Sequence, residues 1–150
     1  MNFGDVKDLS RYKALVVEDN EINQLVIKEQ MKVVGIDADL AENGAEAIEK
    51  VQQTLDNNSA YSIILMDCNM PTMDGLEATR RIRKMGGEAQ DIPIVALTAN
   101  ALVGDKEKCL NSGMDDFISK PVGASRLKAC IYKHLRRHAE TTENALKSPA

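Results

Sequence analysis

At 150 residues, with a formal net charge of -4 and 43% hydrophobic against 28% charged residues, the chain has the size and composition of one globular domain. It lacks the basic excess of a nucleic-acid binder, so no direct contact with nucleic acid is expected. Its longest apolar runs, Ala14 to Val17 and Ile63 to Met66, fall far short of the ~20 residues that span a bilayer, and "MNFGDVKDLS" carries no signal-peptide pattern, which predicts a cytoplasmic domain without membrane insertion.

After a leader over residues 1–11, expected to be partly ordered, "KALVV" (13–17) reads as a first strand, and a helix starts near Asn20 and stops at Gly35. "DADLA" (37–41) is the second strand; the helix after it, over 44–55, aligns Ala47, Ile48, Val51 and Leu55 on one face. "SIILM" (62–66) runs through a turn at Pro71 into a helix over 75–85 that Gly86 and Gly87 close. "IPIVAL" (92–97) precedes a helix over 100–111, with Gly113 as a left-handed cap. "DFIS" (116–119) precedes a helix over 124–137 that turns Leu127, Ile131 and Leu135 inward. Beyond it, 138–150 is polar without a strong period, the pattern of a flexible tail, and His134 and His138 read as surface residues with no acidic partner evident.

Strands that alternate with helices, several of them continuously apolar, imply a parallel sheet covered on both faces through right-handed crossovers. The expected fold is α/β, a flavodoxin-like (βα)5 doubly wound parallel sheet of order 2-1-3-4-5, forming one domain over 12–137. The cysteines, Cys68, Cys109 and Cys130, are scattered without a CxxC pair, so neither a disulfide framework nor a zinc site is expected, and reduced thiols used as small apolar side chains are.

In such a sheet ligands bind beyond the carboxyl ends of the strands where the strand order reverses, here between strands 1 and 3. Strand 1 leaves into Glu18 and Asp19, strand 3 into Asp67, Cys68 and Asn69, and neighbouring strands are only about 4.8 Å apart. Crowded carboxylates repel unless a cation lies among them; Mg²⁺ suits a few carboxylate oxygens and a backbone carbonyl such as that of Asn69, with Mn²⁺ as an alternative. Strand 4 leaves into Thr98 and strand 5, through Ser119, into Lys120 and Pro121. Lys120 lies two strands from Asp67, roughly 10 Å, a gap that only a long side chain bridges. The Lys120-Pro121 bond is a candidate cis peptide that would fix where Lys120 points. Singly, each residue has a plainer use: Asp19 as a helix cap, Thr98 as a turn former, Lys120 in a surface loop. Together, an acid pair, a lone Asp, a hydroxyl and an amine around one metal suit phosphoryl transfer to a carboxylate, with Asp67 as the in-line nucleophile.

The signatures "VVEDNEINQ", "ILMDCNMPTMDG", "ALTANAL" and "GMDDFISKP" resemble, in order and spacing, those of a response-regulator receiver domain. The resemblance implies that Asp67 takes a phosphoryl group from a phosphohistidine on a partner histidine kinase or histidine phosphotransfer domain. It implies that Glu18, Asp19, Asp67 and the Asn69 carbonyl hold Mg²⁺, and that Thr98 and Lys120 contact the phosphoryl group. Phe117 takes the place of the aromatic that turns inward as Thr98 moves, here without the hydroxyl of a Tyr. The implied readout face is the fourth helix, fifth strand and fifth helix, in a monomer or weak dimer that assists its own modification without being a turnover enzyme. Asn20, Asn23, Gln24 and "GMDDFISKP" most resemble receivers of hybrid histidine kinases; a stand-alone regulator stays open.

In the first helix Ile27, Met31 and Val34 form a core stripe, while Ile22, Leu25 and Val33 fall on a line displaced around it. Ile22 and Leu25 are expected to dock the partner's histidine-bearing helix, the alternative being a wide buried face. Two rival functions remain: a metal-dependent phosphatase of the haloacid dehalogenase kind, whose second acid would stand where this chain has Asn69, and a receiver-like binding module that works without phosphate.

Overall fold

The computed structural model describes residues 12–57, 59–68, 75–98, 103–120 and 123–147, with only the backbone course of 103–106 and 136–147. Its elements alternate as β1 (Lys13–Val17), α1 (Glu21–Val34), β2 (Asp37–Ala41), α2 (Gly44–Asp56), β3 (Ile63–Asp67) and α3 (Gly75–Lys84). A 3-10 turn (Gly87–Gln90), β4 (Ile94–Thr98), α4 (Val103–Asn111), β5 (Asp116–Ser119) and α5 (Ala124–Lys147) follow. The five strands form one parallel sheet of order β2-β1-β3-β4-β5, as expected.

Alternation along each strand splits the core in two. Ala14, Val16, Ile63, Leu65, Val95, Leu97 and Ile118 face α1 and α5, where Ile27, Met31, Leu127 and Ile131 cover them. Leu15, Val17, Ile64, Met66, Ile94 and Ala96 face the other way, toward Ala47, Val51, Ala78, Ile82 and Cys109 of α2, α3 and α4. All five residues of β3 are buried, because this central strand has neighbours on both edges and helices on both faces.

The helix ends obey local chemistry. The Asn20 side chain accepts from the N–H groups of Ile22 and Asn23 to start α1, and Gly35, at φ 97°, ends it in the left-handed conformation that a side chain would strain. Gly113, at φ 112°, does the same after α4. Arg83 of α3 ties the second half of the domain together. Its guanidinium donates to the carbonyls of Ala89, Gln90, Ile92 and Gly113 and to the Asp115 carboxylate at 2.8–3.1 Å.

Three expectations need correction. β3 and β4 each end one residue later than predicted, so Asp67 and Thr98 are the last residues of their strands; Pro93 has no N–H to donate, and β4 begins after it. The segment from 138 predicted as a tail is helical as far as Lys147, since no Gly or Pro interrupts 138–147 and a helix needs no apolar face to continue. His134, predicted to be a surface residue, is 4% exposed and packs with Nε2 3.0 Å from Asp116 Oδ2. Its acidic partner comes from β5, 18 residues away, which no local pattern reveals. The leader, Asn69, Asn100, Pro71 and Pro121 lie outside the described residues. Among the described residues, no helix is long and apolar enough to cross a membrane.

Candidate functional site

The acid pocket forms where β1 and β3 end side by side. The N–H of Glu18 still pairs with the Ala41 carbonyl at 3.0 Å, so Glu18 keeps the strand alternation and follows Ala14 and Val16 toward α1 and α5. Asp67 follows Ile63 and Leu65 to the same side. Lys120, whose N–H bonds the Thr98 carbonyl at 2.8 Å, follows Ile118. Three side chains from three strands thus converge: Lys120 Nζ lies 3.4 Å from Asp67 Oδ1 and 3.5 Å from Glu18 Oε2. The long side chain does bridge the gap that the sheet spacing imposes.

Glu18 and Asp67 are both 2% exposed, whereas Asp19 is exposed, and carboxylate oxygens of the three lie within 4.8 Å of one another. Burial, followed by a hydrogen bond with Asp67, pushes the Glu18 carboxyl up to about 7, against the lowering effects of Asn23 and Lys120. Two residues of the first turn of α1, Asn23 and Gln24, hold this acid in place. Asn23 Nδ2 donates to Glu18 Oε1 and Gln24 Nε2 to the Glu18 carbonyl, each at 2.6 Å. Two buried carboxylates and a third beside them exceed the charge of one ammonium. An all-oxygen donor set with such an excess fits a hard divalent cation.

Thr98 is buried at the end of β4 but on the opposite alternation, after Ile94 and Ala96, and Phe117 packs half-buried on that same face. Ala96 pairs with Phe117 and Thr98 with Ser119, which sets Thr98 and Phe117 diagonally across two strands. The structure therefore groups Glu18, Asp19, Asp67 and Lys120 on one side and Thr98 with Phe117 on the other. Ile27, Met31 and Val34 are buried, while Ile22 and Leu25 stand 71% and 67% exposed, so the wide buried face is ruled out. Further along α1, Val26, Ile27 and Gln30 line a cleft of about 340 Å³ together with Glu18 and Lys120.

One residue that shapes the site escaped the sequence reading. A Cβ on Gly75 would lie on the carbonyl oxygen of Asp67 and 2.8 Å from Met66 Cγ, so only glycine lets α3 start against the strand end that carries Asp67. The signal was the glycine at the end of "MPTMDG", read only as a helix start. A second cluster, Asp116, Cys130 and His134, also gathers metal-ligand atoms within 4.8 Å. There Lys133 Nζ already holds the same Asp116 oxygen at 3.4 Å, and burial followed by the Asp116 charge pushes the Cys130 thiol up to about 11, so this is an ion-pair network.

Fold and site together define a doubly wound α/β domain with a cation-ready acid pocket at its switch point. Residues 14–132 match the model of the response regulator receiver domain, and the chain belongs to that family. It is 39% identical over 87% of its length to Histidine kinase 5 of Arabidopsis thaliana, and 43% identical over 85% to the osmosensing histidine protein kinase SLN1 of Saccharomyces cerevisiae. It spans only 16% and 10% of those two proteins. Among solved structures, the receiver domain of the sensor histidine kinase PA1611 from Pseudomonas aeruginosa, with magnesium coordinated in its active-site cleft, is 38% identical at a TM-score of 0.75; the match covers 83% of this chain and 98% of that one. The receiver domain of Ssk1, crystallised with the histidine phosphotransfer protein Ypd1 of S. cerevisiae, matches at 32% identity and a TM-score of 0.74 over 87% of this chain and 93% of that one.

Proposed function

We propose that this chain is a phosphoacceptor receiver in which Asp67 takes a phosphoryl group from a phosphohistidine on a histidine kinase or a histidine phosphotransfer domain. The observation that carries the reading is the convergence of Glu18, Asp67 and Lys120, with the ammonium 3.4–3.5 Å from two buried carboxylates. Asp67 is held at the end of a rigid, buried strand, which aims one oxygen for in-line attack on phosphorus while the phosphorus–nitrogen bond to the imidazole breaks. Lys120, already beside Asp67, neutralises charge on the phosphoryl oxygens, and Thr98, which ends the neighbouring strand β4 on the opposite alternation, moves to donate its hydroxyl to one of them. Glu18, Asp19 and Asp67 would hold Mg²⁺, with Asn69 supplying its backbone carbonyl; bound there, the ion spreads the developing charge. Asn23 and Gln24 keep Glu18 oriented for that role.

The exposed Ile22 and Leu25, with the cleft along α1, form the surface for the partner's histidine-bearing helix. Phosphorylation switches α4, β5 and α5 through Thr98 and Phe117, and a near-complete switch takes about 5.5 kcal/mol of differential stabilisation. The kinship with receivers of hybrid kinases makes a longer kinase the favoured setting. Incubation with acetyl phosphate and Mg²⁺ should label the chain with an acyl phosphate labile in both acid and base. Asp67→Asn should abolish the label, and its persistence there would put the nucleophile elsewhere. Leu25→Glu should keep acetyl-phosphate reactivity and lose transfer from the partner; unimpaired transfer removes the docking surface.

A further inference from the structure

Cys68 follows Asp67 directly, and strand alternation turns it to the opposite side of the sheet, against the core under α3 and α4. There Cys68 Sγ lies 3.3 Å from Cys109 Sγ of α4, a residue 41 positions away. Cys68 is partly exposed, whereas Cys109 is buried, so an oxidant in solution reaches the first thiol and the second waits behind it.

We propose that Cys68 and Cys109 form a peroxide-responsive disulfide that clamps α4 to the phosphoacceptor strand. The Cys68 sulfur attacks the peroxide, forming a sulfur–oxygen bond as the oxygen–oxygen bond breaks and leaving a sulfenic acid and water. The Cys109 sulfur then displaces that oxygen as a second water, which carries away the Cys109 proton; two thiols lose two electrons and one hydrogen peroxide becomes two waters. Closure asks the sulfurs to approach by roughly 1.2 Å, from 3.3 Å to the ~2.05 Å of a disulfide. The third thiol takes no part. Cys130 sits on α5 against the other core, and burial and the neighbouring Asp116 hold it up at about 11, far from the reactive thiolate.

The effect on signalling rests on the receiver reading. With α4 tethered to Cys68, the strand end and the readout helix can no longer shift apart, so the oxidised chain takes phosphoryl more slowly than the reduced one.

The test treats the full chain with hydrogen peroxide and maps the peptides by mass spectrometry. The expected product is a Cys68–Cys109 cross-link lighter by two hydrogens, reversed by dithiothreitol, retained in Cys130→Ser and lost in Cys109→Ser. Stable sulfinic acid at Cys68, a bridge to Cys130 or a bridge between two chains overturns the proposal. Acetyl-phosphate labelling of reduced and oxidised protein should then differ severalfold, with Cys109→Ser insensitive to peroxide. Equal rates remove the regulatory half of the proposal. If the reduced chain takes no label at all, the receiver reading fails while the mapped cross-link stands.

Discussion

Gly75→Ala tests how tightly the phosphoacceptor is built into the fold. The added carbon would meet the Asp67 carbonyl oxygen and sit 2.8 Å from Met66 Cγ, well inside the ~3.5–4.0 Å of carbon contact. Neither neighbour yields freely, since one is backbone in a central strand and Met66 is fully buried. Forced overpacking of this kind costs about 1–3 kcal/mol, and the helix propensity gained by Ala returns at most about 1 kcal/mol. A net loss of about 1–2 kcal/mol follows, or roughly 2–8 °C in Tm for a chain of this size. Because the displaced atom belongs to Asp67 itself, Mg²⁺ affinity should fall as well, by about tenfold if the distortion costs binding 1.4 kcal/mol. Gly35→Ala is the comparison. At φ 97° with nothing within 4 Å it should lose about 1 kcal/mol through backbone strain alone and keep its Mg²⁺ affinity. Urea unfolding and Mg²⁺ titration of both variants decide the matter; parental stability and affinity in Gly75→Ala would refute the close-approach argument.

Three further outcomes follow from named contacts. With a folded value of about 7 against 4.5 unfolded, Glu18 holds a proton in the folded state that the unfolded chain has lost, so metal-free stability from this group falls as pH rises between those values. Mg²⁺ needs the carboxylate and should gain affinity over the same rise; titrations at about pH 5.5 and about pH 7.5 check the sign, and Glu18→Gln should flatten the dependence. Burial pushes Asp116 up, but bonds from His134 and the Phe117 N–H and the Lys133 charge hold it below its usual value, so its contribution is present at neutral pH and lost as pH falls below about 4. His134→Phe should cost about 1–3 kcal/mol at pH 7 and make that acid loss shallower in urea midpoints. Arg83→Lys should cost about 2–3 kcal/mol in the same assay, because one ammonium cannot serve acceptors on Gly113, Ala89, Ile92 and Asp115 together, and parental stability would show the fork to be dispensable.

The sheet order and the acid pocket were legible in the sequence for a physical reason. A strand buried on both faces must be apolar throughout, so a carboxylate at its end stands out, as Asp67 does after Ile63 to Met66. The same logic located Glu18 after Ala14 to Val17, whereas Lys120 follows a half-buried edge strand and was legible only as the residue that strand leaves into. What stayed hidden depends on contacts between distant segments: His134 with Asp116, Arg83 with Gly113 and Asp115, Cys68 with Cys109. No periodicity along one segment records which side chain another segment brings to it. Gly75 was hidden differently, because a glycine that opens a helix and a glycine that admits a carbonyl look identical until the strand is in place.

Two of these hidden contacts, Cys68 with Cys109 and Gly75 with the Asp67 carbonyl, meet at one peptide. Asp67 turns its carboxylate to the α1 and α5 side, Cys68 turns its thiol to the α4 side, and Gly75 packs on the carbonyl between them. A strand end gripped from three directions cannot move one of these groups without moving the others, because interiors at crystal-like density transmit displacement. Gly75→Ala should therefore change the rate at which peroxide closes the Cys68–Cys109 pair, although neither sulfur touches residue 75. Gly35→Ala, strained at the far end of α1, should close the pair at the parental rate. Closure followed by thiol counting over time separates the outcomes, and identical rates in all three chains would show that the acid pocket and the thiol pair share a strand without sharing its motion.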